Sequence, residues 1–163
     1  MKLRRGSRLP DEARASLPLE PGERVIAEAR TGANTWVAAT GTALVRPEGR
    51  TAWADVAHAQ WYADEDVLAV DPVPGAGPAV RLHLVDPGRL PETVRERVVA
   101  SIVLSRRVAL PGGGGVRLVA RRGGGSDEVV WQRVPDEGTD LADPAVRAVV
   151  DAALDRMRGE LGH

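Results

Sequence analysis

The sequence predicts a mainly β, β-rich α+β domain: an antiparallel barrel or sandwich with one internal helix and one capping helix near the C-terminal end. From Arg24 onward, short apolar runs recur between Gly, Pro and Asn breaks, which is typical of short strands joined by tight turns. Apolar residues recur with a helical period in only two segments, one that starts at Leu90 and one at the end of the chain. Because the strands do not alternate regularly with helices, a parallel α/β fold is excluded.

The composition predicts one core built from aliphatic residues. The chain has 163 residues, of which 43% are hydrophobic, with four Trp, no Phe and no Cys. This length suits a single domain. We therefore predict a flexible leader over residues 1–20, where charges and prolines follow no apolar period, and one domain over residues 21–163. No segment reaches the roughly 20 apolar residues of a transmembrane helix, and we expect a cytoplasmic protein.

The first three predicted strands are short and close together. Apolar runs cover residues 25–27, 36–39 and 42–45. The dipeptide Thr40-Gly41 separates the second run from the third and predicts a tight hairpin, in which Gly41 supplies the positive φ that such turns need.

The next three predicted strands continue the meander. Residues 53–62 and 67–70 form two of them, joined by an acidic turn. In the third, apolar and polar residues alternate: Val80, Leu82 and Leu84 with Arg81 and His83. Since successive side chains of a strand point to opposite faces, one face of this strand is expected to be solvated.

Two helices and three further strands complete the prediction. An apolar stripe from Leu90 to Ile102 and a proline at the first helical position predict a helix over residues 91–104. Strands are expected at residues 107–110, 116–121 and 128–134. A second stripe predicts a helix over residues 144–161, capped by Asp143, that covers the sheet.

Part of the sequence resembles a known family. The segments that carry the resemblance are Pro21-Gly22-Glu23-Arg24-Val25, Trp36-Val37-Ala38-Ala39-Thr40, Leu44-Val45, Thr51-Ala52-Trp53, Asp55-Val56 and Gln60-Trp61. They look like uncharacterised actinobacterial proteins with a pleckstrin-homology-like (PH-like) domain. The resemblance implies a strand meander capped by a C-terminal helix, a role that we assign to residues 145–161. The predicted helix over residues 91–104 departs from a minimal domain of this kind.

Motifs for nucleotide, metal or nucleophilic chemistry are not found. The glycines at residues 112–115 and 123–125 lack the Lys and Ser/Thr of a phosphate loop, so they predict hairpin connections. The three His residues fall in separate elements without ligand spacing, and no Ser lies in a nucleophile elbow. We therefore predict no cofactor, no metal site and no catalytic residues, although an enzyme of unknown class stays open as an alternative.

An arginine-rich segment is the candidate anion-binding site. Its members are Arg106, Arg107, Arg117, Arg121 and Arg122. In adjacent antiparallel strands several of these side chains share a face, which predicts a patch for phosphate or an acidic partner. The competing interpretation is that the arginines pair with acidic residues of the same molecule. Because few aromatic residues accompany them, nucleic acid is an unlikely ligand.

Three aromatic residues, Trp53, Trp61 and Tyr62, form a second candidate, either as core or as an exposed contact surface. The first functional hypothesis is a noncatalytic interaction or scaffold module for an unknown protein partner, with self-association as one form of that interaction. The alternatives are a module that binds anionic ligands or nucleic acid through the arginine-rich segment, and an enzyme of unknown class.

Overall fold

The fold was analysed in a computed structural model that describes residues 9–123 and 127–162. These residues form a mainly β structure in antiparallel sheets, as predicted. The elements are α1 (Asp11–Ser16), β1 (Val25–Thr31), β2 (Trp36–Thr40), β3 (Ala43–Arg46), β4 (Gly49–Ala52), a 3-10 turn (Trp53–Asp55), β5 (Val56–Tyr62), β6 (Val67–Pro72), β7 (Val80–Val85), α2 (Leu90–Ala100), β8 (Ile102–Ala109), β9 (Gly115–Arg122), β10 (Val129–Pro135) and α3 (Pro144–Glu160). None of the helices in the described part of the chain is long and apolar enough to span a bilayer.

The described residues belong to two compact units. The N-terminal unit contains residues 9–101, 122–123 and 127–130, and the C-terminal unit contains residues 102–121 and 131–162. Each unit has its own buried apolar cluster. Whether residues 21–163 behave as one domain stays a prediction.

The N-terminal unit is built on a seven-stranded antiparallel sheet with the order β4-β3-β2-β1-β7-β6-β5. Strands β1 and β7 pair over only two positions, Arg30 with Val85 and Thr31 with Leu84. Strands β4 and β5 are the two edges, and a 3-10 turn connects them. The sheet is therefore open, and the barrel form of the prediction is wrong, because closure requires hydrogen bonds between every neighbouring pair of strands.

Helix α2 covers the core of this sheet. Its buried face, Leu90, Val94 and Val98, packs in one cluster with Trp53 and Leu68. The role that the sequence analysis gave to the C-terminal helix in this sheet thus belongs to α2, which directly follows the seventh strand.

Helix α2 ends at Ala100, four residues before the predicted end. Ser101 closes it, since its hydroxyl donates to the Val98 carbonyl at 2.6 Å. Ile102 and Val103 then start β8. Both are β-branched and favour an extended backbone, which explains why the apolar stripe overestimated the helix.

The segment before β1 is partly packed on the sheet. Helix α1 leads to Leu17, which is 5% exposed and lies in a cluster with Ala38, Ala43 and Val45. Leu17, which lies within the predicted leader over residues 1–20, is therefore a core residue. Residues 1–8 of the predicted leader lie outside the described residues.

The hairpin between β2 and β3 forms where it was predicted, but for another reason. Gly41 does not have a positive φ. Instead, the Thr40 hydroxyl accepts hydrogen bonds from the backbone N–H groups of Thr42 and Ala43, at 3.2 and 3.1 Å. A side-chain oxygen thus closes the turn.

The C-terminal unit has a three-stranded sheet with the order β10-β9-β8. Helix α3 packs on it through Val150, Leu154 and Met157, against Val116 and Leu118 of β9. Its N-terminus is capped as predicted, since the Asp143 carboxylate accepts from the Ala145 N–H at 2.9 Å. The first glycine cluster joins β8 to β9 as predicted; of the second cluster, residues 124 and 125 lie outside the described part.

Candidate functional site

The register of β8 and β9 places only part of the arginine-rich segment on one face. Arg107 lies opposite Arg117, whereas Arg106 lies opposite Leu118. Since neighbouring residues of a strand point to opposite faces, Arg106 and Arg107 cannot belong to the same patch. Arg107 and Arg117 share a face, as predicted.

Two of these arginines are occupied by ion pairs within their own unit. Arg106 binds both carboxylate oxygens of Glu160, at 2.6 and 3.0 Å, and Arg107 binds both oxygens of Asp136, at 2.8 and 2.5 Å. The guanidinium groups hold the pKa of Glu160 and the pKa of Asp136 below their ordinary values. Such exposed pairs add little stability, but they neutralise the charge that an incoming anion would need.

The remaining arginines differ in their surroundings. Arg121 is only 4% exposed, its Nε donates to Gln132 at 3.3 Å, and burial lowers the pKa of its guanidinium. The Nε of Arg122 is also buried. Arg117 is exposed and contacts the Ser105 hydroxyl at 3.4 Å. The five residues therefore do not form one convergent basic surface.

The candidate aromatic residues have different environments. Trp53 is 1% exposed, and its indole N–H donates to the Thr40 carbonyl at 2.9 Å, so it is a core residue and not a contact residue. Trp61 packs against the same core. Tyr62 is 37% exposed, and its hydroxyl donates to the Gln60 side chain at 3.1 Å.

A small cleft of the N-terminal unit brings together cationic and aromatic groups that the sequence analysis did not combine. Its volume is about 290 Å³, and three regions line it: the turn between β1 and β2, the turn between β3 and β4, and residues 81–83 of β7. The side chains that matter chemically are Trp36, Arg46, Glu48, Arg81 and His83.

The turn between β1 and β2 forms a rigid wall of this cleft. The Thr31 N–H donates to the Thr35 carbonyl at 2.8 Å, and the two Thr hydroxyls are 2.7 Å apart. Asn34 adopts a φ of 61° that completes the turn. A Cβ on Gly32 would lie 3.0 Å from His83 Nδ1, so the turn packs closely against the His83 side chain of β7.

The positive charge of the cleft is poorly compensated. Arg46 pairs loosely with Glu48, at 3.7 Å, and this carboxylate is 67% exposed. The Arg46 Nε is buried without a hydrogen-bond partner among the described residues. Arg81 has no carboxylate partner within the part of the chain that the structure describes. Arg81 is therefore the arginine of this cleft whose charge no acidic side chain of the described residues offsets.

The pair of Glu23 and Arg50 shows the opposite situation. Both oxygens of Glu23 accept from Arg50, at 2.5 and 2.7 Å, and one of them also accepts from the Thr40 and Thr42 hydroxyls. The hydrogen bonds from Arg50 are the largest cause of a strongly lowered Glu23 pKa. Because its acceptors are saturated, this network is structural and leaves no group for a ligand.

The sequence analysis singled out only some of the residues that line the cleft. The alternation along β7 predicted that Arg81 and His83 are solvated, and the structure confirms that both are exposed. Nothing local connects them to Arg46, which comes from a distant strand.

No group of three or more metal-ligating side chains is found among the described residues. Comparison with family models, curated proteins and solved structures finds no match to this chain.

Proposed function

We propose that this protein is a noncatalytic binding module and that its N-terminal unit binds an anionic group in the cleft between the β1–β2 turn, the β3–β4 turn and β7. The observation that carries the proposal is that Arg81, which lines this concave site beside His83, has no carboxylate partner among the described residues. Guanidinium groups are preferred partners of phosphate and carboxylate because they donate two parallel hydrogen bonds.

The geometry supports the cleft, rather than the arginine-rich segment, as the site that binds the anion. Arg81 is exposed and has no carboxylate partner among the described residues, so an anion binds it without displacing one. By contrast, Arg106 and Arg107 would have to exchange a bidentate carboxylate partner for the ligand. Binding at the cleft therefore gains more interactions than it loses.

Two observations favour a binding role over catalysis. The carboxylates with shifted pKa values, Glu23, Asp136 and Glu160, all have a lowered pKa because an arginine stabilises the charged form. Such groups stay ionised at neutral pH and cannot serve as proton donors there. They also lie outside the cleft.

The PH-like relationship is part of the proposal. It is supported by the order of elements in the N-terminal unit, seven antiparallel strands followed directly by a helix that packs on their core. A protein partner and self-association stay predictions of the sequence analysis, and shared fold alone does not transfer a ligand.

The test is a titration of the full chain with inorganic phosphate, followed by NMR chemical shifts of backbone amides. We expect the largest shifts at Gly32 and His83, and we expect Arg81→Gln to weaken binding about tenfold. Arg95→Gln is the matched control, because Arg95 is an exposed arginine of the same unit on α2. Arg107→Gln tests the arginine-rich segment. Equal loss in Arg95→Gln, or a loss only in Arg107→Gln, would refute the cleft as the site.

A further inference from the structure

The cleft is lined by apolar residues as well as by charged ones. Besides the arginines, the lining includes Trp36 and Pro47. A bare anion would use the guanidinium groups and leave these apolar surfaces against water. Ligand sites of proteins typically combine an apolar lining with a few polar groups that fix the orientation of the ligand.

Trp36 packs on a buried cluster without being fully buried itself. It is half-buried and packs on the cluster formed by Leu17, Ala38, Ala43 and Val45, and it also lines the cleft. A ring that is fixed before the ligand arrives loses little side-chain entropy on binding. Tryptophan also offers the largest flat apolar surface of any side chain, which favours contact with another ring.

The size of the cleft limits the ligand. Its volume of about 290 Å³ is at the lower end of the roughly 300 to 1,000 Å³ of pockets that hold drug-sized ligands. One ring together with one anionic group is suited to this space.

We infer that the ligand is a small organic anion that carries an aromatic ring, with the anionic group on Arg81 and the ring against Trp36. This inference rests on the proposed function and makes it specific. Trp36 is then a specificity-determining residue: it distinguishes an aryl phosphate or aryl carboxylate from inorganic phosphate.

The experiment compares phenyl phosphate with inorganic phosphate on the full chain at one ionic strength. We expect phenyl phosphate to bind about tenfold more tightly, the usual effect of one aromatic contact. Trp36→Leu should remove this difference while the affinity for inorganic phosphate is retained, which also shows that the variant is folded. Trp131→Leu, a tryptophan of the C-terminal unit, is the matched control and should keep the difference.

A second measurement does not depend on any variant. In the wild-type chain, intermolecular nuclear Overhauser effects are expected between the phenyl protons and the Trp36 indole. Equal affinities for the two ligands in the wild-type chain would overturn the aromatic ligand and leave the anion site standing. If neither ligand binds, or if Arg81→Gln changes neither affinity, the proposed function fails together with the inference.

Discussion

Glu23 links several segments of the N-terminal unit through hydrogen bonds. Its carboxylate connects Arg50 of β4 with Thr40 and Thr42 of the β2–β3 turn, and Arg50 also donates to the Pro18 carbonyl at 3.0 Å. Hydrogen bonds to a charged group are stronger than neutral ones. One side chain thus ties the preceding segment, a turn and an edge strand together.

Replacing this carboxylate should destabilise the protein in a pH-dependent way. We expect Glu23→Gln to lower the free energy of unfolding by about 2 kcal/mol at pH 7. Because the Glu23 pKa is lower in the fold than its ordinary value of 4.5, the unfolded chain takes up the proton first as the pH falls. The stabilisation is therefore complete above about pH 5 and declines below it, and the variant should lack this decline.

Urea denaturation between pH 3 and pH 7 measures both effects. Glu48→Gln is the control, because Glu48 is 67% exposed and only loosely paired with Arg46. It should change the free energy of unfolding by less than about 0.5 kcal/mol. A pH profile of Glu23→Gln that parallels the wild type would contradict the assignment of the lowered pKa to Glu23.

At the scale of elements, the β8–β9 hairpin depends on the lack of a side chain at Gly115. A Cβ there would lie 2.8 Å from the Val108 carbonyl oxygen, a backbone atom that cannot rotate away. We expect Gly115→Ala to cost about 2 kcal/mol of stability through this overlap. The neighbouring Gly112, where a Cβ meets nothing within 4 Å, provides the control. Similar midpoints for Gly115→Ala and Gly112→Ala in chemical denaturation would show that the close approach is relieved without cost.

The start of α3 depends on a side-chain cap, and the start of α2 does not. The Asp143 carboxylate accepts from the Ala145 N–H at 2.9 Å, whereas Arg89 before α2 makes no side-chain cap. Asp143→Ala should therefore lower stability by about 1 kcal/mol. Arg89→Ala should stay within about 0.5 kcal/mol of the wild type. Thermal unfolding followed by circular dichroism compares them, and equal effects would argue against the cap.

At the scale of the whole molecule, the two units have separate buried clusters. Val70 of β6 is 1% exposed in one cluster, and Val116 of β9 is fully buried in the other. Both are strand valines, so replacing either with Ala removes the same atoms. Each change should cost about 2 kcal/mol.

We expect these two variants to loosen different parts of the chain. In hydrogen exchange followed by mass spectrometry, Val70→Ala should raise exchange in β6 and β7, and Val116→Ala should raise it in β9 and α3, because local opening follows the packing of each cooperative unit. If both variants raise exchange equally in all the described elements, the clusters unfold as one unit, as the single-domain prediction from the sequence implies.

The amino-acid sequence by itself determined the class of the fold and most of its elements. Alternation and helical stripes depend only on neighbours in the chain, so β7, α3 and its Asp143 cap were predicted correctly. The sequence analysis missed two local features: the end of α2 at Ala100, and the Thr40 side chain that closes the β2–β3 turn.

Only the tertiary structure decided which helix covers which sheet and which cations remain available. The apolar stripes of α2 and α3 are both complete, and nothing local tells which sheet each will bury. Likewise, strand alternation places the neighbouring residues Arg106 and Arg107 on opposite faces, and Arg106 pairs with Glu160, which is far away in the chain. By contrast, Arg46 and Arg81 are far apart in the chain, yet both line one cleft. Pairing between distant residues is set by folding, and this is why the candidate site was not predictable from the sequence.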